Sequence, residues 1–503
     1  MRAVRRPPWL TLANLFYLGV AVLASAPAWI VKYPPLQDMP FHAATIRVIH
    51  SFGDATFGFS RFFDLSLFST QYVLYYLLGS GLSYVVGVKL ANVLLMSAYL
   101  GGTPLAIRQL LRAMGKDERL SILVVPVLVN VMFTFGLMPF VLGIPFIFLG
   151  LAAALRHFER PTRRTAIVLG LLALALFFSH VFAFFMFGVG FALMFPWPRV
   201  ERWLVSAAPV APALLLVVWW TKTSKAGQAS FGALKGPLEH VPYGQALSGA
   251  QQWMLDVFRD DTDEVVVIAF GVLVVAIAGL SSGSIDRSKP AARWYGLLPA
   301  LCVALYFLMP GDLGPVWLFA QRFPSLALIS LVPALRMPSG ARGWVTTAAM
   351  LALAAHATVN TCKHFIEFQN EEVGDIDAAV AAIEPGKRTA GLIFDSGSRV
   401  MNWAPFLHYV SWVQVEKGGL VQFSYADWAH WPFHYKRGQF PPPGTATDAP
   451  TRKRWEWTPE QVPMSELYPY YDYVLVRGAG FRPPPGTFHS VFRGERWTVF
   501  ARD

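Results

Sequence analysis

The chain has 503 residues, of which only 15% are charged, against about 25% in a soluble chain, and its mean hydropathy is +0.43. Its net charge of +11 comes from 42 Lys and Arg against 31 Asp and Glu. These values exclude an ordinary soluble globule, and because many of the basic residues fall in short loops between apolar runs, they point to anionic lipid headgroups and exclude nucleic acid as the partner.

Taken in chain order, Arg2, Arg5 and Arg6 precede an apolar core and the run ASAPA. That pattern fits a cleaved signal peptide or an uncleaved anchor, and the long core favours the anchor. Apolar runs long enough to cross ~30 Å of hydrocarbon as helix are read at 11–31, 90–110, 119–135, 138–155, 165–179, 181–196, 204–220, 264–281, 294–309, 316–335 and 343–361. The expected class is therefore an α-helical polytopic membrane protein of about eleven spans. Bilayer-spanning segments must satisfy their own backbone groups, and no barrel-like alternation is present.

Orientation follows from the loops. With the N-terminus inside, MRAVRRPP, RQLLRAMGKDER, RHFERPTRR, PWPRVER, DRSKPAAR and RMPSGAR all fall inside, and each is basic. The loops near 136 and 180 carry no Lys or Arg, as the positive-inside rule requires of outer loops. The count works if the stretch 67–88, with Gln71, four tyrosines and the break GSG, lies along the outer surface or re-enters. The alternative is that 67–88 crosses and another weak span is spurious.

Two long outer loops result, 32–89 and 221–263, within a membrane domain of residues 1–361. Residues 362–503 form a soluble, periplasmic α/β domain. There IDAAVAAIE (375–384) has helical spacing. TAGLIFD (389–395), HYVSWVQV (408–415), GLVQFSY (419–425), YDYVLVRG (471–478) and RWTVFAR (496–502) read as strands. The run SYADWAHWPFHYKRGQFPPPG reads as an irregular loop.

Few residues carry candidate chemistry. Asp38, in PPLQDMPFH, sits at the outer surface just past the first span. A carboxylate held between prolines suits a general base, and the competing role is a cap for the helical run HAATIRVIH. His42 follows one turn later, and Asp54 and Asp64 share the loop. His180 belongs to the only polar pair in LALALFFSHVFAFFMFGVGFAL. It is either an intramembrane histidine in one helix or the turn between two spans. Gln321 and Arg322 fall about two turns inside the span 316–335 from its outer end. A buried arginine needs an anion, either a phosphate held by the guanidinium fork or Asp312 in PGDLGP. Histidines at 42/50, 240 and 408/430/434 could bind a metal, yet none has the spacing of a strong zinc site. Trp428 and its neighbours could stack on sugar rings or rest on the membrane interface. Cys302 and Cys362 offer neither a disulfide framework nor a metal pattern.

A basic N-terminus, one span, an outer loop opening with an Asp, and surface helices before the second span resemble the GT-C superfamily of membrane glycosyltransferases. The runs FTFGLMPFVLGIPFIFLGLA, FFSHVFAF, QRFPSLALISLVPAL, YDYVLVRG and RWTVFAR are similar to bacterial members. The resemblance implies transfer of a sugar from a polyprenyl-phosphate carrier to a periplasmic glycan, lipid or protein acceptor at the bacterial inner membrane. It implies Asp38 as base, Arg322 as phosphate clamp, and His180 as an aid to either. His42, Gln321, Asp312 and Trp428 complete the expected substrate contacts. Where some members carry an acidic dipeptide, this chain has Gln37-Asp38, and no DxD-like pair occurs in the outer loop. No cofactor is assigned, and a divalent metal stays open. The rival classes are a flippase or transporter of a polyprenyl-linked glycan and a membrane scaffold. Against a carrier stands the lack of any inverted repeat.

Overall fold

The computed structural model describes residues 11–67, 70–233, 239–281, 289–313, 316–422, 424–441 and 458–503. The basic segment MRAVRRPP, the first residues of DRSKPAAR, Gly314, Pro315 and Phe423 lie outside them.

Helix α1 (Leu12–Ser25) is capped by Thr11, whose side chain accepts the Asn14 N–H. Helix α2 (Met39–His50) starts after Asp38 and carries Pro40 in its first turn, where a missing N–H costs nothing. Helix α3 (Leu74–Leu100) is broken at Gly87, with φ 76° and ψ 165°, a conformation essentially reserved for glycine. The break separates residues 74–86, part of the stretch assigned to the outer surface, from the expected second span, which α4 (Gly102–Met114) continues.

The expected span 119–135 is not one helix. A 3-10 run (Glu118–Val127) contains Pro126 and leads to α5 (Val131–Thr134), capped by Asn130. Every residue from Leu120 to Val127 is buried, so tertiary packing rather than helix propensity holds this run. Helices α6 (Met138–Glu159), α7 (Arg163–Ser179) and α8 (Val181–Met194) follow. His180 alone separates α7 from α8, in an extended conformation, so the two-helix alternative is the correct one.

The bundle continues with α9 (Trp203–Ala207), α10 (Ala211–Thr223), α11 (Lys225–Ala233), α12 (Tyr243–Gly249), α13 (Thr262–Leu280), α14 (Leu297–Leu308), α15 (Arg322–Leu331) and α16 (Gly340–Glu367). Helix α15 corrects one expectation: it begins at Arg322, so Gln321 and Arg322 are at the mouth of the helix and not two turns inside it. Among the described residues, five helices are long and apolar enough to cross a membrane. Four shorter apolar helices match four more of the expected spans. The other two expected spans are α7 and the 3-10 run.

The basic loops gather at one end of the bundle. Lys116 donates to the Pro333 carbonyl (2.6 Å), Lys289 pairs with Glu159 (2.8 Å), and the Arg119 guanidinium stands over Trp344 (4.9 Å). The turns at 136, 180 and 317–321 meet at the other end, where the C-terminal region also packs.

That region is built from α17 (Ile376–Ala381), α18 (Ser411–Lys417), α19 (Met464–Tyr470) and a five-stranded sheet. A small two-stranded sheet pairs β1 (Phe63–Leu65) with β4 (Phe433–Tyr435). The larger sheet contains β2 (Arg388–Ile393), β3 (Leu420–Val421), β5 (Tyr473–Arg477), β6 (Phe488–Arg493) and β7 (Trp497–Arg502), in the order β3-β2-β5-β7-β6. β2 is parallel to both neighbours, and β7 is antiparallel to β5 and β6.

Two expectations fail here. HYVSWVQV is not strand: residues 408–410 form a turn and α18 then buries Ser411, Trp412, Val413, Gln414 and Val415, where burial on all sides outweighs the β-propensity of the valines. The Trp-rich stretch is not wholly irregular, since β4 lies within it. β1 and β6 escape the sequence because their side chains follow no clean alternation.

Helix α2 packs closely on the first half of α3. A Cβ at Gly79 would stand 2.3 Å from Ile46 Cδ1. Gly79→Leu is therefore expected to prise α2 away and to destabilise the protein by about 1–3 kcal/mol, measured as a lower unfolding midpoint in detergent. Gly81→Ala, where nothing lies within 4 Å, should cost far less.

Candidate functional site

Asp38 occupies the N-cap position of α2, yet its side chain makes no capping hydrogen bond. The carboxylate turns inward and is only 4% exposed. Its backbone is clamped instead. Gln37 N–H donates to the Thr134 carbonyl (3.1 Å) and Asp38 N–H to the Phe135 carbonyl (3.0 Å). The clamp closes because residue 136 is glycine: φ is +86°, and a Cβ there would stand 2.7 Å from Asp38 N and 2.9 Å from Met39 N.

Around the carboxylate, Tyr425 Oη donates to Oδ2 (3.3 Å) and His408 Nε2 stands 3.4 Å from Oδ1. Oδ1 is buried without a formed hydrogen bond. One oxygen is thus held and the other left to accept a proton. Both neighbours come from the C-terminal region. His408 stacks on Phe41 of α2, with ring centroids 4.1 Å apart. His42, one turn further, bonds the Tyr76 hydroxyl through Nδ1 (2.8 Å), which makes it a wall of the site rather than a free base.

His180 caps α8: the Phe182 N–H donates to Nδ1 (3.0 Å). The other ring nitrogen, Nε2, stands 3.0 Å from Arg322 Nη1, within hydrogen-bond reach. Arg322 is 4% exposed. It donates from Nε to the Leu318 carbonyl (3.1 Å) and from Nη2 to the Trp317 carbonyl (2.9 Å), and its guanidinium lies 5.0 Å from the Phe140 ring centroid.

Asp312 does not pair with Arg322. Its Oδ1 accepts the Leu318 N–H (2.8 Å). Leu318, with φ +52°, is the only non-glycine residue at positive φ among the described residues. Such strain, of order 1–3 kcal/mol, persists only where surroundings enforce it. Here Asp312 holds its N–H and Arg322 its carbonyl, so the strained loop presents the guanidinium.

These groups line one cavity of about 130 Å³. Asp38, His42, His180, Arg322 and Trp428 all face it; Gln321, Asp312, Asp54 and Asp64 do not. Gln37, Tyr72, Tyr76 and Tyr425 also line it, together with His408 and His430 of the histidine set and Trp431 beside Trp428. Their signal in the sequence was density alone: four tyrosines in 67–88, and histidine crowded with tryptophan in 424–435. The segment 424–435 closes over the cavity, with Trp428 against Trp317 (6.1 Å) and Tyr72 between His180 (4.6 Å) and His430 (5.1 Å). The β1–β4 pairing and the bond from Thr70 Oγ1 to the His430 carbonyl hold it there.

The chain shares its fold with ArnT from Cupriavidus metallidurans bound to undecaprenyl phosphate, at a TM-score of 0.54 over 97% of both chains, with 12% identity. The same protein in the apo state aligns over 97% of both chains with 10% identity and a TM-score of 0.38. The Archaeoglobus fulgidus oligosaccharyltransferase in complex with Zn and sulfate aligns over 92% of this chain and 68% of that chain, with 12% identity and a TM-score of 0.37. Both scores are too low to carry an argument. No protein-family model and no curated protein matches the sequence.

Burial pushes the imidazoles of His42 and His430 down to about 4; neighbouring Asp38 partly offsets this at His42, and His434 adds to it at His430. Both lie outside the candidate spans. Because the folded values are below the ordinary 6.5, the unfolded chain takes up the proton first. The stability at stake is full above about pH 6.5 and drains towards pH 4, by up to about 3 kcal/mol per histidine. A pH series of unfolding midpoints should show this acid limb, and His430→Gln should shallow it. An unchanged slope would assign the limb to other groups.

Proposed function

We propose that the protein is a membrane glycosyltransferase that moves a sugar from a polyprenyl-phosphate carrier to a hydroxyl of a periplasmic glycan, lipid or protein. The observation that carries this reading is one cavity that holds a buried carboxylate, one oxygen of which makes no hydrogen bond, and a buried guanidinium that pairs with no carboxylate among the described residues. The fold shared with ArnT bound to undecaprenyl phosphate supports the lipid carrier as donor.

The chemistry assigns itself by charge. Asp38 Oδ1 takes the proton of the acceptor hydroxyl as its oxygen attacks the anomeric carbon. The bond from that carbon to the phosphate oxygen breaks, and the electron pair leaves on the polyprenyl phosphate. Arg322 donates to that phosphate, with His180 beside it, so the developing charge falls where a cationic donor is preorganised. The leaving group needs little protonation, so a clamp matters more than an acid. Tyr425 and His408 orient Asp38. The aromatic walls Trp428, Trp431 and Tyr76 offer stacking faces to the sugar. The basic loops at the opposite end of the bundle support a cytoplasmic side there, and with it a cavity that faces the periplasm of the bacterial inner membrane. Residues 1–361 form the membrane domain and 362–503 the periplasmic one.

Reconstituted protein given labelled polyprenyl-phosphate sugars tests the reading. Asp38→Asn should lower turnover by ~10²-fold or more while donor binding is kept. Arg322→Lys keeps the charge but loses the fork, and should weaken donor binding; Arg322→Met should abolish it in a folded protein. Full turnover in Asp38→Asn would return Asp38 to a structural role.

A further inference from the structure

A second group of acidic side chains lies outside the cavity. One oxygen from each of Asp256, Asp263 and Glu264 lies within 4.8 Å of the other two, the only such convergence of His, Cys, Asp or Glu found among the described residues. Asp263 is 4% exposed. Its Oδ2 accepts the backbone N–H groups of Val257 (2.5 Å) and Phe258 (3.2 Å). Its Oδ1 is buried with no hydrogen-bond partner, and so is Glu264 Oε2.

No Lys, Arg or His among the described residues forms an ion pair with Asp256, Asp263 or Glu264. Arg259, the nearest in sequence, turns its Nε to the carbonyls of Ser398 (3.1 Å) and Met401 (3.2 Å). His364 is taken by Asp260 (3.1 Å). Three carboxylates brought together with a buried, unsatisfied oxygen between them are unfavourable unless a proton or a cation joins them. All the donors are hard oxygens, and 4.8 Å is about twice a Ca–O bond of about 2.4 Å. Asp256 and Glu264 also line a polar cavity of about 360 Å³, through which an ion and its waters could enter.

We propose that Asp256, Asp263 and Glu264 form a structural site for a Ca²⁺-sized divalent cation, which fastens the second outer loop to the C-terminal region. The seam it would brace is visible. Asn402 donates to Asp256 through its side chain and to the Val257 carbonyl through its N–H (3.0 Å), and the Arg259 N–H donates to the Val400 carbonyl (2.9 Å). Next to the seam, Trp403 packs on Trp253 (5.5 Å) and Phe135 (5.3 Å). Phe135 supplies the carbonyl that clamps Asp38. The Trp253 carbonyl accepts from Ser325 (3.0 Å), on the helix that begins with Arg322. The cation therefore stiffens the frame that holds both halves of the cavity, without touching either.

The test uses the full-length protein in detergent, first stripped with EDTA and then titrated with CaCl₂, MgCl₂ or MnCl₂ while unfolding is followed. The expected result is a saturable rise in midpoint, strongest with CaCl₂. In Glu264→Gln the half-saturating concentration should rise by roughly tenfold or more, since affinity follows ligand charge. Asp256→Asn, in a less buried ligand, provides the same test should Glu264→Gln fold poorly. No response of the wild type to any of the three ions would overturn the proposal. So would an identical response in both variants, which would place the ion elsewhere. A midpoint that rises on acidification and ignores cations would overturn it in favour of a proton shared by Asp263 and Glu264. Because the readout is stability, the result is independent of whether the sugar-transfer reading holds.

Discussion

A carboxylate and a guanidinium, each 4% exposed, line the same cavity and do not neutralise each other. Burying either charge unpaired costs several kcal/mol, so the rest of the fold must hold them in place and apart. It does so with backbone rather than with counter-ions. Asp38 is anchored through its own N–H and that of Gln37 to the 134–136 turn. Arg322 spends two of its three donor positions on the carbonyls of Trp317 and Leu318. Asp38 Oδ1 makes no hydrogen bond and has His408 Nε2 3.4 Å away, while Arg322 Nη1 meets His180 Nε2 and no carboxylate among the described residues. A proton acceptor and an anion receptor, both preorganised, are what a displacement at an anomeric carbon with a phosphate leaving group requires.

The frame around these charges is costly in local terms. Gly136 and Leu318 both adopt positive φ, and His180 caps one helix while ending another. Each irregularity is met by a specific partner. The Gly136 turn lies against the start of α2, the Leu318 loop is pinned by Asp312, and the His180 ring is fixed by the Phe182 N–H. The one strained residue among these turns, Leu318, sits where the turns converge on the cavity, the setting in which backbone strain persists.

The C-terminal region is part of the site rather than an appendage. It contributes His408 and Tyr425 to the carboxylate, and Trp428, His430 and Trp431 to the walls. Its attachment runs through the β1–β4 strand pair, the packing of α18 near α2, where Arg47 Nε donates to the Val415 carbonyl (2.8 Å), and the seam at residues 257–259 and 400–402. The described residues of segment 32–89 therefore make contacts with both regions.

What the sequence determined by itself was whatever depends on short-range pattern and composition. Long apolar runs announced the membrane helices, the basic loops marked which turns share an end, and rare polar residues in apolar surroundings singled out Asp38, His180 and Arg322, because an isolated polar group in such a setting is expensive. Resemblance extended this to the GT-C-like fold. The tertiary structure decided what depends on contacts between distant segments. Asp38 is freed from its capping role by a glycine about a hundred residues away in the chain. His408 and Tyr425 reach it from beyond residue 400, where sequence spacing carries no information about approach. Asp312 turns to a backbone N–H instead of to Arg322, because the strained Leu318 loop places that N–H before it. Residues 411–415 become helix because all their sides are buried, a property of their neighbours and not of the valines.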